Sequence, residues 1–195
     1  MSNNKLTSRQ KQAIKTKNKI FNTGVKLIEK YGFDNITMEK ISRESSVSIG
    51  AIYHYYNSKN EILFDIYKKA DDYFEKIVQK DLEGKNSKDG IVSFFSHYGN
   101  YINSRGLAFN KELYVTKNKN FVKEDRYMQK LLLDLIISGQ KNNEIISNYT
   151  PKYISEYLFV LARGTVFHWC LKEGDFDLQE RIIEYMKHTS KIFFV

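Results

Sequence analysis

ITMEKISRESSVSIGAIYHYYNSK, residues 36–59, reads as two short amphipathic helices separated by a break of three or four residues, the arrangement that sets a second helix into a duplex groove. Thr37 is placed to cap a first helix whose buried face is Met38 and Ile41. Ser45-Ser46-Val47 then interrupts the period, and Ser48 caps the second helix. Within that second helix only Ile52 is clearly placed to face inward. Ser48, Ile49, Gly50, Ala51, Tyr53, His54 and Tyr55 are left with more outward aromatic surface than a solvated turn requires, so something should cover them.

Charge points to the same end of the chain. Residues 1–60 hold eleven Lys and Arg against four acids, a net +7, while residues 61–195 supply only +1 of the total +8. A positive end on an otherwise balanced chain suits a polyanion, because each phosphate neutralised by Lys or Arg releases condensed counterions. The plain alternative, a solubilising excess, loses ground once the charge coincides with the helix pair.

The rest of the 195 residues predicts an all-α protein. Forty-two per cent are apolar, proline occurs once and glycine ten times, and helical periodicities run almost end to end. Cys170 is the single cysteine, which leaves no disulfide framework or cysteine-rich zinc site and fits a reducing cytoplasm. No export signal is expected, and the longest apolar stretches, such as 131–137, fall far short of the roughly 20 residues of a membrane span. His54, His97, His168 and His188 are dispersed without metal-ligand spacing, and no glycine-rich phosphate loop or HExxH is present. Neither a metal nor a cofactor is expected, and an enzyme is the weakest reading. A helical protein-interaction adaptor without DNA binding is the other alternative.

A first helix is expected to begin between Lys11 and Thr16, to carry Ile20, Phe21, Val25, Leu27, Ile28 and Tyr31, and to end at Gly32. The basic lead-in from Ser2 to Lys15 reads either as a disordered tail or as an arm along a DNA backbone or minor groove. Ser58-x-x-Glu61 reads as a capping box that opens a long helix to Glu83, and the domain boundary is set there, 1–57 against 58–195. Further helices are expected over 91–104, from Leu107 to about Val115, over about 121–141, from Thr150-Pro151 to about Lys172, and after Asp177, with the polar run 116–120 as a loop.

GFDNITMEKISRESSVSIGAIYHYYNSKNEIL, residues 32–63, resembles the DNA-binding domain of the TetR family of bacterial one-component regulators. The likeness covers roughly residues 16–67. It rests on Tyr31-Gly32-Phe33, Thr37, Ile41, Val47-Ser48, Gly50, Ile52-Tyr53, Tyr55-Tyr56 and Lys59 at their joint spacing. A looser likeness to the family's ligand domains lies in ARGTVFHWCLKEGDFDL, residues 162–178. The resemblance implies that Thr37, Tyr53 and Lys59 grip backbone phosphates, while Ser48, Ile49, Gly50, Ala51, His54 and Tyr55 approach base edges or sugar-phosphate. Tyr53 has a second reading, packing on Ile20 or Leu63. Ser45-Ser46 and Ile49 depart from the pattern of many relatives; Ile49 either meets a thymine methyl or packs internally.

The resemblance also implies a homodimer, its last long helices, about 121–141 and 151–172, pairing in a four-helix bundle, with recognition helices about 34–36 Å apart on a near-palindromic operator. Leu131, Leu135, Leu158, Ala162, Thr165 and Trp169 are the seam candidates. Phe94, Tyr98, Tyr101, Phe109, Tyr127 and Phe167, with Arg163 and His168, are the candidates for a small-molecule pocket, the alternative for each aromatic being ordinary core. The implied function is a ligand-released repressor.

Overall fold

A computed structural model of the chain describes residues 6–114 and 126–195. The described residues are helical almost throughout, apart from a single isolated antiparallel bridge between Ile145 and Phe194. The chain divides into two compact units, Met1–Tyr67 and Lys68–Val195.

The first unit begins with α1 (Ser8–Tyr31), which starts earlier than the periodicity predicts. Thr7 Oγ1 accepts from the Gln10 N–H at 3.2 Å, and Gln10 Oε1 accepts from the Thr7 N–H at 2.8 Å. This capping box satisfies two orphan amides and extends the helix through most of the expected lead-in. Residues 2–5 of that lead-in lie outside the described residues. α2 (Met38–Ser45) is capped by the Thr37 hydroxyl, and Ser46 turns the chain with a left-handed φ of 51°. α3 (Ile49–Tyr55) is capped by Ser48. Ile20, Phe21, Leu27, Ile28, Met38, Ile41, Ile52 and Ile62 close the core of the trio and the helix that follows.

That following helix, α4 (Lys59–Tyr73), does not start with the expected Ser58 box. The Glu61 carboxylate accepts instead from the N–H and side-chain amide of Asn57, at 3.0 and 2.9 Å. The compact units part ten residues beyond position 57 because the first turns of α4 are bound into the first unit. Tyr56, 2% exposed, donates its hydroxyl to Asp65 at 2.8 Å, and Lys17 pairs with the same carboxylate at 2.9 Å. Burial first, and the Asp65 carboxylate second, push the Tyr56 phenol far above its usual range.

The second unit continues from α4 through a π-helical segment, Phe74–Val78, into α5 (Gln79–Leu82). The wider turn moves Phe74, Val78 and Leu82 to the core and leaves Ile77 out in solvent. α6 (Ser87–Ser104), α7 (Leu107–Leu113), α8 (Tyr127–Lys141), α9 (Pro151–Leu171) and α10 (Leu178–Phe193) complete it, α6 packing on α8 and α10, and α9 on α7, α8 and α10. Thr150 caps α9 with Pro151 in its first turn. The expected loop over 116–120 and the expected start of α8 near 121 lie outside the described residues. No helix among the described residues is long and apolar enough to cross a membrane.

Candidate nucleic-acid interface

The outward face of α3 is built by its brevity. Seven residues bury one side chain, Ile52, at 0% exposure, so the remaining positions have nowhere to turn but out. Ser48, Ile49, Gly50, Tyr53 and His54 are exposed, with Ala51 and Tyr55 half-buried beside them. Ile49 and Tyr53 are 39% and 46% exposed, so each leaves a large part of its side chain to solvent. The His54 and Tyr55 rings meet edge to face at 5.2 Å, which fixes both at one end of the face.

Gly50 carries the clearest signal. Its φ is not positive, and a Cβ built there meets nothing within 4 Å. A helical glycine costs roughly 0.5–1 kcal/mol relative to alanine. Nothing inside the protein requires it, so the space above it is available to something outside.

Thr37 stands exposed at the α2 N-terminus with its Oγ1 accepting the Lys40 N–H at 3.2 Å. Glu39 lies in the same turn, where a main-chain hydrogen bond and the Thr37 hydroxyl hold its carboxyl below the usual carboxylate range. An acid there suits the positive end of the helix.

Lys59 is differently placed from its implied role. Its Nζ donates to the carbonyls of Phe33, Asp34 and Ile36 at 2.8, 3.2 and 3.2 Å and lies 4.7 Å from the centre of the Phe33 ring. An ammonium has three N–H donors, and all three are taken. Lys59 therefore ties the loop between α1 and α2 to the first turn of α4. Lys59→Met is expected to lower the stability of the first unit by about 1–3 kcal/mol, by leaving those carbonyls short of a donor. The salt dependence of duplex binding should stay at the wild-type slope, and a flattened slope would return Lys59 to a phosphate contact.

The second unit sorts the pocket candidates. Phe94, 0% exposed, and Phe109, 1%, are core, and Phe94 has Phe74 and Phe95 at 4.9 and 5.0 Å between ring centres. Neither is available to line a pocket open to a ligand. Tyr98 is buried with its hydroxyl bonded to Tyr114 at 2.6 Å, and Tyr101 accepts from Arg105 Nη2 at 2.8 Å. The Tyr127 hydroxyl bonds Gln79, and the Arg163 guanidinium lies 5.0 Å over the Phe159 ring. Phe167 and His168 are exposed on α9. His168 stacks on Phe176 beside a groove of about 350 Å³ between α9 and α10, lined also by Val160, Gly164, Arg181 and Tyr185.

Of the seam candidates, Leu158, Ala162, Thr165 and Trp169 face the unit's own core at 0–5% exposure, and Leu131 and Leu135 pack against it. The side of α9 that faces outward carries Tyr153, Tyr157, Val160, Gly164, Phe167 and Leu171 at alternating spacings of four and three. Val160, Phe167 and Leu171 are 59%, 50% and 64% exposed.

Two polar clusters of the second unit escaped the sequence reading because their members are far apart in the chain. Arg126, 7% exposed, pairs with Asp71 through Nε at 3.1 Å and Nη2 at 3.2 Å. Across the π segment, His97 bonds the Tyr73 hydroxyl at 2.8 Å and Asp81 at 3.2 Å, and Asp81 also accepts from Ser93 and Lys85. The Ser93 hydroxyl, then Lys85, bring the Asp81 carboxyl down to about 2. Ser93 and His97 both bond the carboxylate rather than each other, so they form a brace and not a nucleophile with its base.

Residues 20–66 match the family model described as bacterial regulatory proteins, tetR family. Along its length the chain is 20% identical over 166 residues to the fatty acid metabolism regulator protein of Bacillus subtilis, covering 82% of this chain and 86% of that one. Among solved structures, FadR from Bacillus subtilis in complex with stearoyl-CoA superposes with a TM-score of 0.72 at 19% identity, over 87% of this chain and 96% of that one. Thermus thermophilus FadR, a transcriptional repressor in complex with lauroyl-CoA, gives 0.65 at 16% identity, over 89% and 92%. The two structures share this fold, with an N-terminal helix-turn-helix unit followed by a helical one, and over residues 20–66 the chain matches the tetR family of bacterial regulatory proteins.

Proposed function

We propose that the chain is a ligand-responsive transcriptional repressor that binds a near-palindromic operator as a homodimer and is released by a small hydrophobic or aromatic effector. The observation that carries the duplex contact is the face of α3, where exposed Tyr53 and His54 flank a glycine that the fold does not need. Thr37 and Tyr53 hold phosphates and set the register; Ser48, Ile49, Gly50, Ala51, His54 and Tyr55 face the groove, Ile49 against a thymine methyl. The first compact unit, 1–67, which takes in the expected 1–57, is the DNA-binding domain and the second, 68–195, the ligand and dimer domain, the protein working in the cytoplasm. No catalytic step is assigned to it.

Gly50→Ala separates the two demands on that position. It should raise the stability of the first unit by about 0.5–1 kcal/mol and at the same time weaken duplex binding, since the added methyl stands where the backbone meets DNA. Equal or tighter binding by the variant would remove Gly50 from the contact.

For the dimer, the outward stripe of α9 supports a seam along that helix, with Gly164 again open and unneeded by the fold. The effector is assigned from the aromatic second unit and from the stearoyl-CoA and lauroyl-CoA held by FadR of Bacillus subtilis and Thermus thermophilus, which makes long-chain acyl-CoA the first ligand class to try. Release follows by population shift: α4 begins in one unit and ends in the other, and an effector that binds better when α4 is displaced makes the operator-competent form rarer. Selection of duplexes from a random pool by the purified protein should enrich an inverted repeat. Enrichment of no sequence over the starting pool would reject the operator and its two-fold symmetry together.

A further inference from the structure

α1 is longer than its packing requires. Its fully buried residues begin at Ile20, and in the three turns from Ser8 to Lys19 only Ala13, Thr16 and Lys17 are even half-buried, yet these turns are helical and closed by the Thr7 box. A largely exposed helical end with so little packing is marginal in water. What those turns present is charge. Lys11, Lys15, Lys19, Lys26 and Lys30 are all exposed and fall within an arc of about 100° at 3.6 residues per turn. No acid precedes Glu29 in the chain, and none of the five lysines makes an ion pair among the described residues. Lys17, on the other side of the helix, is the lysine that the fold does use, paired with Asp65.

The stripe ends beside a proposed phosphate contact. Lys30 Nζ lies 5.1 Å and Lys40 Nζ 3.3 Å from the centre of the same Tyr31 ring, and the Lys40 N–H is the one that Thr37 accepts. From Lys30 the row runs back along α1 to Lys11, about 28 Å at 1.5 Å per residue, most of one turn of duplex.

We propose that this lysine face of α1 is a second binding surface for double-stranded DNA, a rail that tracks the phosphate backbone outward from Thr37 into the sequence flanking each half-site. It rests on the proposed duplex contact of α3 but makes a separate claim, because the rail reads no bases: it adds affinity on any flanking sequence and lengthens the protected segment. Each lysine that neutralises a phosphate adds about 0.9 to the slope of log affinity against log salt. A row of lysines with no ion-pair partner among the described residues is suited to this, since no such pair must break for them to meet phosphate.

The test compares the full-length protein with K11Q/K15Q/K19Q, which keeps helix propensity, and with K68Q/K76Q/K80Q, which removes the same charge from exposed positions of the second unit. The probe is a selected operator carrying ten or more flanking base pairs, roughly one turn of duplex, on each side. The α1 variant should lose about two to three from the salt slope and about tenfold or more in affinity near 0.1 M salt, with hydroxyl-radical protection retreating from the flanks. The second-unit variant should match wild type in all three. An α1 variant with wild-type slope and protection would overturn the rail while leaving the α3 contact standing. Equal losses in the two variants would overturn it too, as a general field effect. A third refuting result is an α1 variant that keeps its duplex slope but no longer binds phosphatidylglycerol vesicles, assigning the face to a membrane through exposed Leu6 and Ile14. A wild-type protein that binds no duplex would remove both the rail and the reading it rests on.

Discussion

V160E/F167E is expected to be a folded monomer whose operator affinity is about a hundredfold or more below wild type. Val160 and Phe167 lie at 59% and 50% exposure on the outward stripe of α9, so within one protomer the change is a surface substitution worth little, within about 0.5 kcal/mol. At a two-fold seam the same residues face their own copies, and glutamates there would be desolvated and set against like charge. A dimer reads two half-sites as one linked event, and linked modules gain about 10²–10⁴ in avidity over a single one. Sedimentation velocity should show the monomer, with an unchanged helical spectrum, and duplex titration should show the lost affinity. A variant that sediments as a dimer would place the seam elsewhere, since no partner helix could accept four carboxylates on that stripe without water.

The α9 stripe also shows where sequence reading stops. Leu158, Ala162, Thr165 and Trp169 have the composition of a seam, and so do Tyr153, Tyr157, Val160, Gly164, Phe167 and Leu171 on the other side. The charged residues of α9, Lys152, Glu156 and Arg163, fill one narrow stripe, and a helix left apolar on both sides of such a stripe carries no wheel signal for which of the two is inward. The neighbours α7, α8 and α10 decide it, and their approach depends on contacts far away in the chain. The helix pair around α3 was legible for the opposite reason. Thr37 and Ser48 cap their own helices by local bonds, and a seven-residue helix has room for one buried side chain, so Ile52 defines every other position. α1 fell between these cases. Thr7-x-x-Gln10 is a readable box, but no apolar period follows it for three turns, because the first part of the helix has no fully buried residue before Ile20. The partners of Lys59 are not legible in the sequence, because its ammonium bonds carbonyls more than twenty residues away, in a loop that no pattern announces.

Phe94→Ala should cost the second unit about 3–5 kcal/mol, the range for emptying a fully buried phenylalanine site. Phe94 was a pocket candidate because aromatic residues of its kind serve ligands and cores alike, and the two roles differ sharply in this variant. At 0% exposure it packs against Phe74, Phe95 and Phe159, with ring centres 4.9, 5.0 and 6.0 Å away, all near edge-to-face or tilted contacts that add to the area term. Phe74 opens the π segment and Phe159 sits in the middle of α9, so the cavity would lie where three elements meet and no single helix can collapse into it. A pocket-lining phenylalanine, already in contact with solvent or ligand, would give up far less stability and far more effector affinity. Chemical denaturation followed by helical signal, with acyl-CoA titration of the folded protein alongside, separates the two. A loss under about 1 kcal/mol, the ordinary scale for a solvent-facing change, would show that Phe94 borders open space after all.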